Sequence, residues 1–306
     1  MLVKYRQINE SFDKKLVFHL GSRSGFFSEY NNMILCMIHC LQENIQFQLY
    51  SRDLSIAVRN GWTDFFEPFC PETFNGLHQL FNCRFPRPTP QFKLRKAFAT
   101  FTKTLCGCNY LTYELWNQFS RLNSVQSVFI PALDKKNSLR QTCRDLVNIT
   151  WRFKPEIMDE IQQEIRKLKL PSSYLTVHIR AGDKIKEYKG CPVATYIEKL
   201  ESVSDLHDVL VMTDDYRIFE QLKANYPSRN FYTLETPEQQ GYQHRKNKRK
   251  NIAEKRAGTI RFFAGIELAA NAKHFVGTYS SNIGAYLGMR MSPEQCHAVD
   301  FDQWRI

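Results

Sequence analysis

The stretch Tyr174-Leu-Thr-Val-His178-Ile-Arg180-Ala-Gly-Asp183-Lys184-Ile-Lys-Glu187 runs a short β-branched segment into a turn holding a histidine, an arginine, lysines and two acids. A strand that ends in a glycine-containing turn presents polar side chains at the carboxyl edge of a sheet, where open α/β proteins bind ligands. Arginine and lysine at that edge suit an anion. The carboxylates beside them either supply acid–base chemistry or hold the basic groups in place.

Downstream, strand and helix patterns alternate, which predicts a doubly wound parallel sheet. A strand at 175–179 leads to a helix at 194–202, and a strand at 208–212 leads to a helix at 216–224. A strand at 230–234, a helix at 259–271, a strand at 274–277 and a helix at 282–287 follow. Each main strand ends in polar residues that share one edge: His178 and Arg180, then Thr213-Asp214-Asp215, then Thr278-Tyr-Ser280-Ser281-Asn282. Such clusters at successive strand ends point to a site more strongly than any one of them. Asp300-Phe-Asp302 has the alternating acids seen in metal-dependent sugar transferases, but it lies beyond the last expected element and reads as a terminal tail.

Upstream, Leu16-Val-Phe-His-Leu20 is a candidate first strand, followed by the turn Gly21-Ser-Arg-Ser-Gly25 and a helix at 29–42. Strand, glycine turn and helix start form a phosphate-cradling arrangement, because free backbone amides gather there; a plain connecting turn is the alternative. A strand at 45–49, further helix before residue 60 and a packed loop at Gly61-Trp-Thr-Asp-Phe-Phe-Glu-Pro-Phe come next. Prolines between residues 84 and 90 interrupt regular structure, and helices are expected at 92–105, 111–122 and 154–168. The lobe boundary falls between 151 and 171, with an N-terminal lobe over 1–160 and a C-terminal lobe over 161–306.

Composition sets the outer limits. The 306 residues, 43% hydrophobic and 13% aromatic, describe a folded protein large enough for two lobes. Forty-two Lys and Arg against 31 Asp and Glu give a net charge of +11, which favours an anionic partner. The start Met1-Leu-Val-Lys-Tyr-Arg lacks the apolar core of a signal peptide, and the apolar stretch at 33–38 is too short to span a bilayer, so a soluble cytoplasmic protein is expected. Nine scattered cysteines read as reduced thiols; Cys106-Gly-Cys108 and Cys36 with Cys40 lack a second pair at zinc spacing.

The candidate residues each have a structural alternative. Arg180 can grip a diphosphate or pair with Asp183, and Ser281 can offer its hydroxyl or cap the following helix. Asp214 and Asp215 are adjacent on a strand and point to opposite faces, so one is expected to cap the next helix and the other to orient a basic neighbour. The basic run at 244–256, with Glu254 as its one acid, reads as a solvated loop; a flap closing over an anionic substrate is the alternative.

At His178-Ile-Arg180-Ala-Gly-Asp183-Lys184, Thr213-Asp214-Asp215 and Thr278-Tyr-Ser280-Ser281 the chain resembles the fucosyltransferase superfamily that includes the α1,6-, bacterial nodulation, α1,2- and protein O-fucosyltransferases. The resemblance covers about residues 170–300. In the first half it is confined to Gly21-Ser-Arg-Ser-Gly25-Phe-Phe-Ser-Glu-Tyr-Asn31 and Gly61-Trp-Thr-Asp-Phe-Phe. It implies a GT-B-like α/β fold of two Rossmann-like lobes and an inverting transferase that takes GDP-fucose without a metal or other cofactor. The donor would bind the C-terminal lobe, and the N-terminal lobe would be the acceptor side.

By the same resemblance, Arg180 would hold the β-phosphate and His178 would contact the nucleotide, while Thr278, Ser280 and Ser281 would bind phosphate or shape the donor cleft. Asp183 and Lys184 would organise the catalytic turn, Asp214 and Asp215 would be architectural, and Ser24, Gly25 and Asn31 would approach the diphosphate from the other lobe. The chain departs from the α1,6 members in three places. Ala181 replaces a second arginine, Glu187 lies three rather than four residues beyond Lys184, and Gly265 stands where a guanine-reading acid is expected, with Glu267 nearby. A GDP-linked sugar is therefore better supported than fucose itself. Glu187 is the candidate base for the acceptor hydroxyl, its alternative being a surface pair with Lys186 or Lys189. The partners expected are a nucleotide-sugar donor and a glycan acceptor rather than a specific nucleic acid. The rival functions are transfer of a different sugar and non-enzymatic binding of nucleic acid or anionic glycan.

Overall fold

The computed structural model describes residues 1–21, 24–82, 90–180, 191–238 and 251–306. The chain divides into two units, Met1–Lys154 and Pro155–Ile306.

The first unit runs α1 (Leu2–Glu10), β1 (Lys14–His19), α2 (Phe26–Gln42), β2 (Ile45–Tyr50), α3 (Leu77–Phe81), α4 (Pro90–Cys106), β3 (Tyr110–Leu111), α5 (Trp116–Ser120), β4 (Ser127–Ile130), β5 (Lys135–Ser138) and α6 (Leu139–Thr150). β1 is the middle strand of a parallel sheet of order β2-β1-β3, and Leu16 lies in register with Phe47 on one side and Tyr110 on the other. α2 is buried along most of its length. Its Phe26, Phe27 and Tyr30 stack with Trp62, Phe66 and Trp151, and the Tyr30 hydroxyl meets Thr150 Oγ1 at 2.6 Å. Aromatic burial on this scale accounts for the dry interior of a lobe with few strands.

The strands expected near 16–20 and 45–49 and the helices near 29–42 and 92–105 are present. Two other expectations fail, because side-chain partners outside the helical ladder outcompete local helical periodicity. No helix follows β2 before residue 60; the chain turns, and the Asp64 carboxylate gathers the backbone N–H groups of Val58, Arg59, Asn60 and Gly61 at 2.6–3.1 Å. Burial pushes the Asp64 carboxyl up, but these four bonds outweigh it and hold it below the usual carboxylate range. The helix expected at 111–122 is replaced by β3, α5 and a 3₁₀ turn at Arg121–Ser124, because Thr112 donates its N–H to Asn82 Oδ1 at 2.7 Å and its hydroxyl to the Val17 carbonyl. The antiparallel β4–β5 hairpin and α6 are additions to the expected elements; α6 is capped by Ser138 and buries Leu139, Cys143, Leu146 and Val147 along one face.

The second unit runs α7 (Pro155–Lys167), β6 (Leu175–Ile179), α8 (Val193–Val203), β7 (Asp208–Thr213), α9 (Tyr216–Asn225), β8 (Asn230–Tyr232), α10 (Ile252–Asn271), β9 (His274–Gly277), α11 (Asn282–Arg290) and β10 (Cys296–Ala298). All five strands are parallel, in the order β10-β9-β6-β7-β8. The chain fills one side of β6 first, with β7 and β8, and then crosses to the other with β9 and β10, so the strand order reverses at the β6–β9 pair. β6 is buried throughout. Leu175, Val177 and Ile179 pack with Tyr196, Ile197 and Leu200 of α8 and Phe219 and Leu222 of α9, as a sheet covered by helices requires.

Two boundaries differ from expectation. α10 begins seven residues earlier than the periodicity suggests, because Asn251 and Glu254 cap it reciprocally at 2.9 and 3.0 Å, and Arg256 is then clamped by both oxygens of Glu160 on α7. The last part of the basic run is therefore helix rather than flap, and residues 244–250 lie outside the described residues. The segment after α11 is no loose tail: β10 extends the sheet, and the Trp304 indole donates to the Ala285 carbonyl at 2.8 Å.

Replacing Asp64 by alanine removes an acceptor shared by four amides, and the expected cost is about 2–3 kcal/mol in urea unfolding. An unchanged midpoint would mean that the turn closes without the carboxylate.

Candidate functional site

The second unit brings three of the expected clusters together. β9, β6 and β7 are adjacent and parallel, spaced by about 4.8 Å, so Thr278, Arg180 and Asp214 leave the sheet at the same edge, where the strand order reverses. Ligands of open α/β sheets bind at such a reversal.

His178 is buried on β6, in register with Met212 of β7. Met212 lies next to Gly265, so the pleat places His178 on the α10 side and Ile179 on the α8–α9 side. Burial first, and the charge of Arg180 second, push the His178 imidazole down to about 4, so the ring is neutral at physiological pH. Its Nδ1 is buried and has no hydrogen-bond partner among the described residues. Arg180, two residues further on and half-buried, follows the strand. An arginine and an uncharged histidine thus stand two residues apart at the end of one strand.

The other strand ends are organised by carboxylates of the chain itself. Asp215 is buried, caps α9 through the Arg217 N–H at 3.1 Å, and also binds the Arg217 guanidinium at 2.5–3.1 Å. The Arg217 hydrogen bonds hold its carboxyl below the usual range. Asp214 beside it is half-buried. Ser281 caps α11: its Oγ accepts from the Gly284 N–H at 3.0 Å and donates to the Thr278 carbonyl at 3.0 Å. The approach is so close that a Cβ on residue 284 would lie 2.0 Å from the Thr278 oxygen, so only glycine fits there. Thr278 is half-buried and the Ser280 side chain is exposed.

Asp300, which sequence reasoning assigned to a tail, is the group that shapes this corner. Its two carboxylate oxygens accept the Tyr279 and Ser280 N–H groups at 2.8 and 2.9 Å. These two amides, just before the Ser281 cap of α11, are therefore engaged by an internal anion that follows β10 in the chain. Glu267 is also buried, and the Arg290 guanidinium holds both of its oxygens at 2.5 and 2.7 Å. Asp183, Lys184 and Glu187 lie outside the described residues.

In the first unit, Ser24 and Gly25 stand at the start of α2, and Asn31 is buried further along it. The buried Glu29 carboxylate accepts the Ser24 N–H at 2.9 Å, so this helix start too holds an anion of the chain's own. A second cluster had no sequence signal beyond a lone polar residue in a strand. At the end of β1, His19 places Nδ1 2.7 Å from the Asn82 carbonyl and Nε2 2.8 Å from Asp53 Oδ1. Both ring nitrogens of the buried His19 are thus within hydrogen-bond distance of an oxygen. Gly21, at φ +154°, admits Asp53 to this position; a Cβ there would lie 2.7 Å from its carboxylate. Asn82 also binds the Val17 carbonyl and His78.

Among the described residues no group of three or more His, Cys, Asp or Glu is placed to hold a metal ion, and eight cysteines are free thiols. Burial pushes the Cys108 thiol up to about 11.

The sequence matches no protein-family model and no curated protein. Solved structures do resemble it. The α1,6-fucosyltransferase NodZ soaked with GDP-fucose aligns with a TM-score of 0.55 at 15% identity over 91% of this chain and 93% of its own. The fucosyltransferase NodZ from Bradyrhizobium gives 0.55 at 14% identity, covering 91% and 94%, and NodZ co-crystallised with GDP gives 0.53 at 14%, covering 91% and 93%. The chain has the fold of these fucosyltransferases. This is the GT-B-like α/β architecture that the resemblance at the three strand-end motifs implies.

Two measurements test the site. An unfolded histidine titrates near 6.5, so between about 6.5 and about 4 the unfolded chain takes up a proton that folded His178 refuses, and stability falls as the pH drops through that window. The whole effect is on the order of 3 kcal/mol. His178→Gln is expected to flatten the fall seen in urea titrations, leaving the similar share from buried His78; parallel pH profiles for the two proteins would exclude it. Asp300→Ala is expected to cost about 2–3 kcal/mol, because two amides lose a charged acceptor. A variant as stable as the parent would show that water replaces the carboxylate.

Proposed function

We propose that the protein is a glycosyltransferase that moves a sugar, fucose from GDP-fucose, to a hydroxyl of a glycan acceptor. The observation that carries this is Arg180, emerging beside a neutral buried histidine at the strand-order reversal of a fold shared with an α1,6-fucosyltransferase whose crystals were soaked with GDP-fucose.

The chemistry requires a departing diphosphate to be neutralised, an acceptor hydroxyl to be deprotonated, and attack on the opposite face of the sugar. A guanidinium can bind two phosphate oxygens at once, so Arg180 neutralises charge on the leaving group in place of a divalent cation. The Tyr279 and Ser280 amides are occupied by Asp300, so Arg180 is assigned the main phosphate contact at this edge. His178 adds a neutral polar edge for the nucleotide without a second positive charge that would repel Arg180. Ser281 and Glu267 act by shape, one as a helix cap and the other as the anchor of Arg290. Glu187 is assigned the base, which gives inversion in a single displacement. Such a group contributes about 10²–10⁴-fold to the rate.

Calorimetric titration with GDP, with and without magnesium, tests the proposal. GDP is expected to bind in both buffers, UDP more weakly, and Arg180→Ala to lower GDP affinity by about tenfold to a hundredfold. Unchanged GDP affinity in Arg180→Ala, or salt-steep oligonucleotide binding with none for GDP, would overturn it. A donor screen with product detected by mass then identifies the sugar.

A further inference from the structure

The proposed reaction gives no part to Asp300, the first of the alternating acids Asp300-Phe-Asp302. The structure ties it, and the segment that carries it, to the corner before α11. Val299 donates its N–H to the Gly277 carbonyl at 2.9 Å, which fixes the end of β10 against β9. Tyr279 is then held at both ends: its hydroxyl donates to the Cys296 carbonyl at 2.7 Å, and its N–H donates to Asp300 Oδ1 at 2.8 Å. The next amide, that of Ser280, donates to Asp300 Oδ2 at 2.9 Å. Further along, the Trp304 indole donates to the Ala285 carbonyl and closes on Gly288, where a Cβ would lie 2.1 Å from the ring. The C-terminal segment therefore clasps both the corner and the helix that follows it.

The consequence falls on Ser280. The two oxygens of Asp300 fix the peptide planes on either side of Tyr279, so the backbone that enters Ser280 is set. Ser281 spends its hydroxyl on capping α11, whereas the Ser280 side chain is exposed and its hydroxyl makes no hydrogen bond to the described residues. A serine on a fixed backbone has only its side-chain torsion left to settle, so little freedom is lost when the hydroxyl meets a ligand. β9 ends beside β6, and Ser280 thus stands at the edge where Arg180 leaves the sheet. We infer that Asp300 is a positioning residue for the nucleotide-sugar donor, holding the Ser280 hydroxyl toward the diphosphate that Arg180 neutralises. The inference rests on the reading of the chain as a transferase with a GDP-linked donor. Asp300 makes no donor contact of its own, since both its oxygens are engaged by amides.

Calorimetric titration of GDP into the full chain, Ser280→Ala, Asp300→Ala and the double variant closes a double-mutant cycle that tests this. Ser280→Ala is expected to weaken GDP binding by about tenfold, and Asp300→Ala by a similar factor. In the Ser280→Ala background the Asp300→Ala change is expected to cost less than about twofold, because the hydroxyl it positions is gone. An acid that served stability alone would not show that dependence. Asp300→Asn keeps one acceptor oxygen and is expected to fall between the parent and Asp300→Ala; it takes the place of the alanine variant in the cycle if that variant does not fold. Equal factors in the two backgrounds, or GDP binding in the Asp300 variants that is unchanged or tighter than the parent's, would overturn the inference while leaving the proposed function standing. A parent chain that does not bind GDP would overturn the proposed function itself, and this inference with it.

Discussion

The parallel pairing of β6 with β7 on one side and β9 on the other is the constraint on which the rest of the second unit depends. A strand hydrogen-bonded on both edges and covered by helices on both faces has no room for unpartnered polarity, so β6 is β-branched or aliphatic for most of its length. Polar groups can stand only where the strands end. Because all three strands run the same way, those ends coincide, and the site is a consequence of register before it is a matter of individual side chains. Thr176 and His178 are the exceptions within the strand: the Thr176 hydroxyl and the His178 Nδ1 are both buried without a hydrogen-bond partner among the described residues, and burial keeps the His178 ring uncharged.

The electrostatics follow a second rule, repeated in both units: helix starts and turns that could attract an outside anion are met by carboxylates of the chain. Asp64 closes a turn, Asp215 caps α9, Asp300 holds the corner before α11, and Glu29 holds the Ser24 amide at the start of α2. At the candidate site the Asp300 bonds hold the corner before α11 and occupy the Tyr279 and Ser280 amides. Specific anion recognition then falls to side chains. A guanidinium next to a neutral imidazole is a suitable device, since its planar fork matches phosphate oxygens and the histidine adds no charge that competes with it.

Legibility differed between the units. The strands at 175–179 and 274–277 match the expected bounds, and every helix of the alternating segment lies where its pattern placed it to within a few residues, apart from the early start of α10. In the first unit, residues 50–60 and 111–122 resembled helices, and β4, β5 and α6 drew no expectation. There the deciding bonds are long-range. Asn82 binds the Val17 carbonyl, the Thr112 amide and His78, tying segments that lie far apart in the chain. His19, Asp53 and Asp300 were passed over for the same reason, since each acquires meaning only from a partner tens of residues away.

Taken by itself, the order of residues determined the alternation of the second unit, the polar endings of its strands and the family of folds they imply, because periodicity and turn chemistry are local and survive in one dimension. Tertiary structure alone decided which polar groups are spent and which are left. It showed that Ser281 is a cap, that Glu267 belongs to Arg290, and that an acid assigned to a tail governs the corner beside the site. A charge or an amide is free only relative to its neighbours in space, and those neighbours are set by the packing of distant elements.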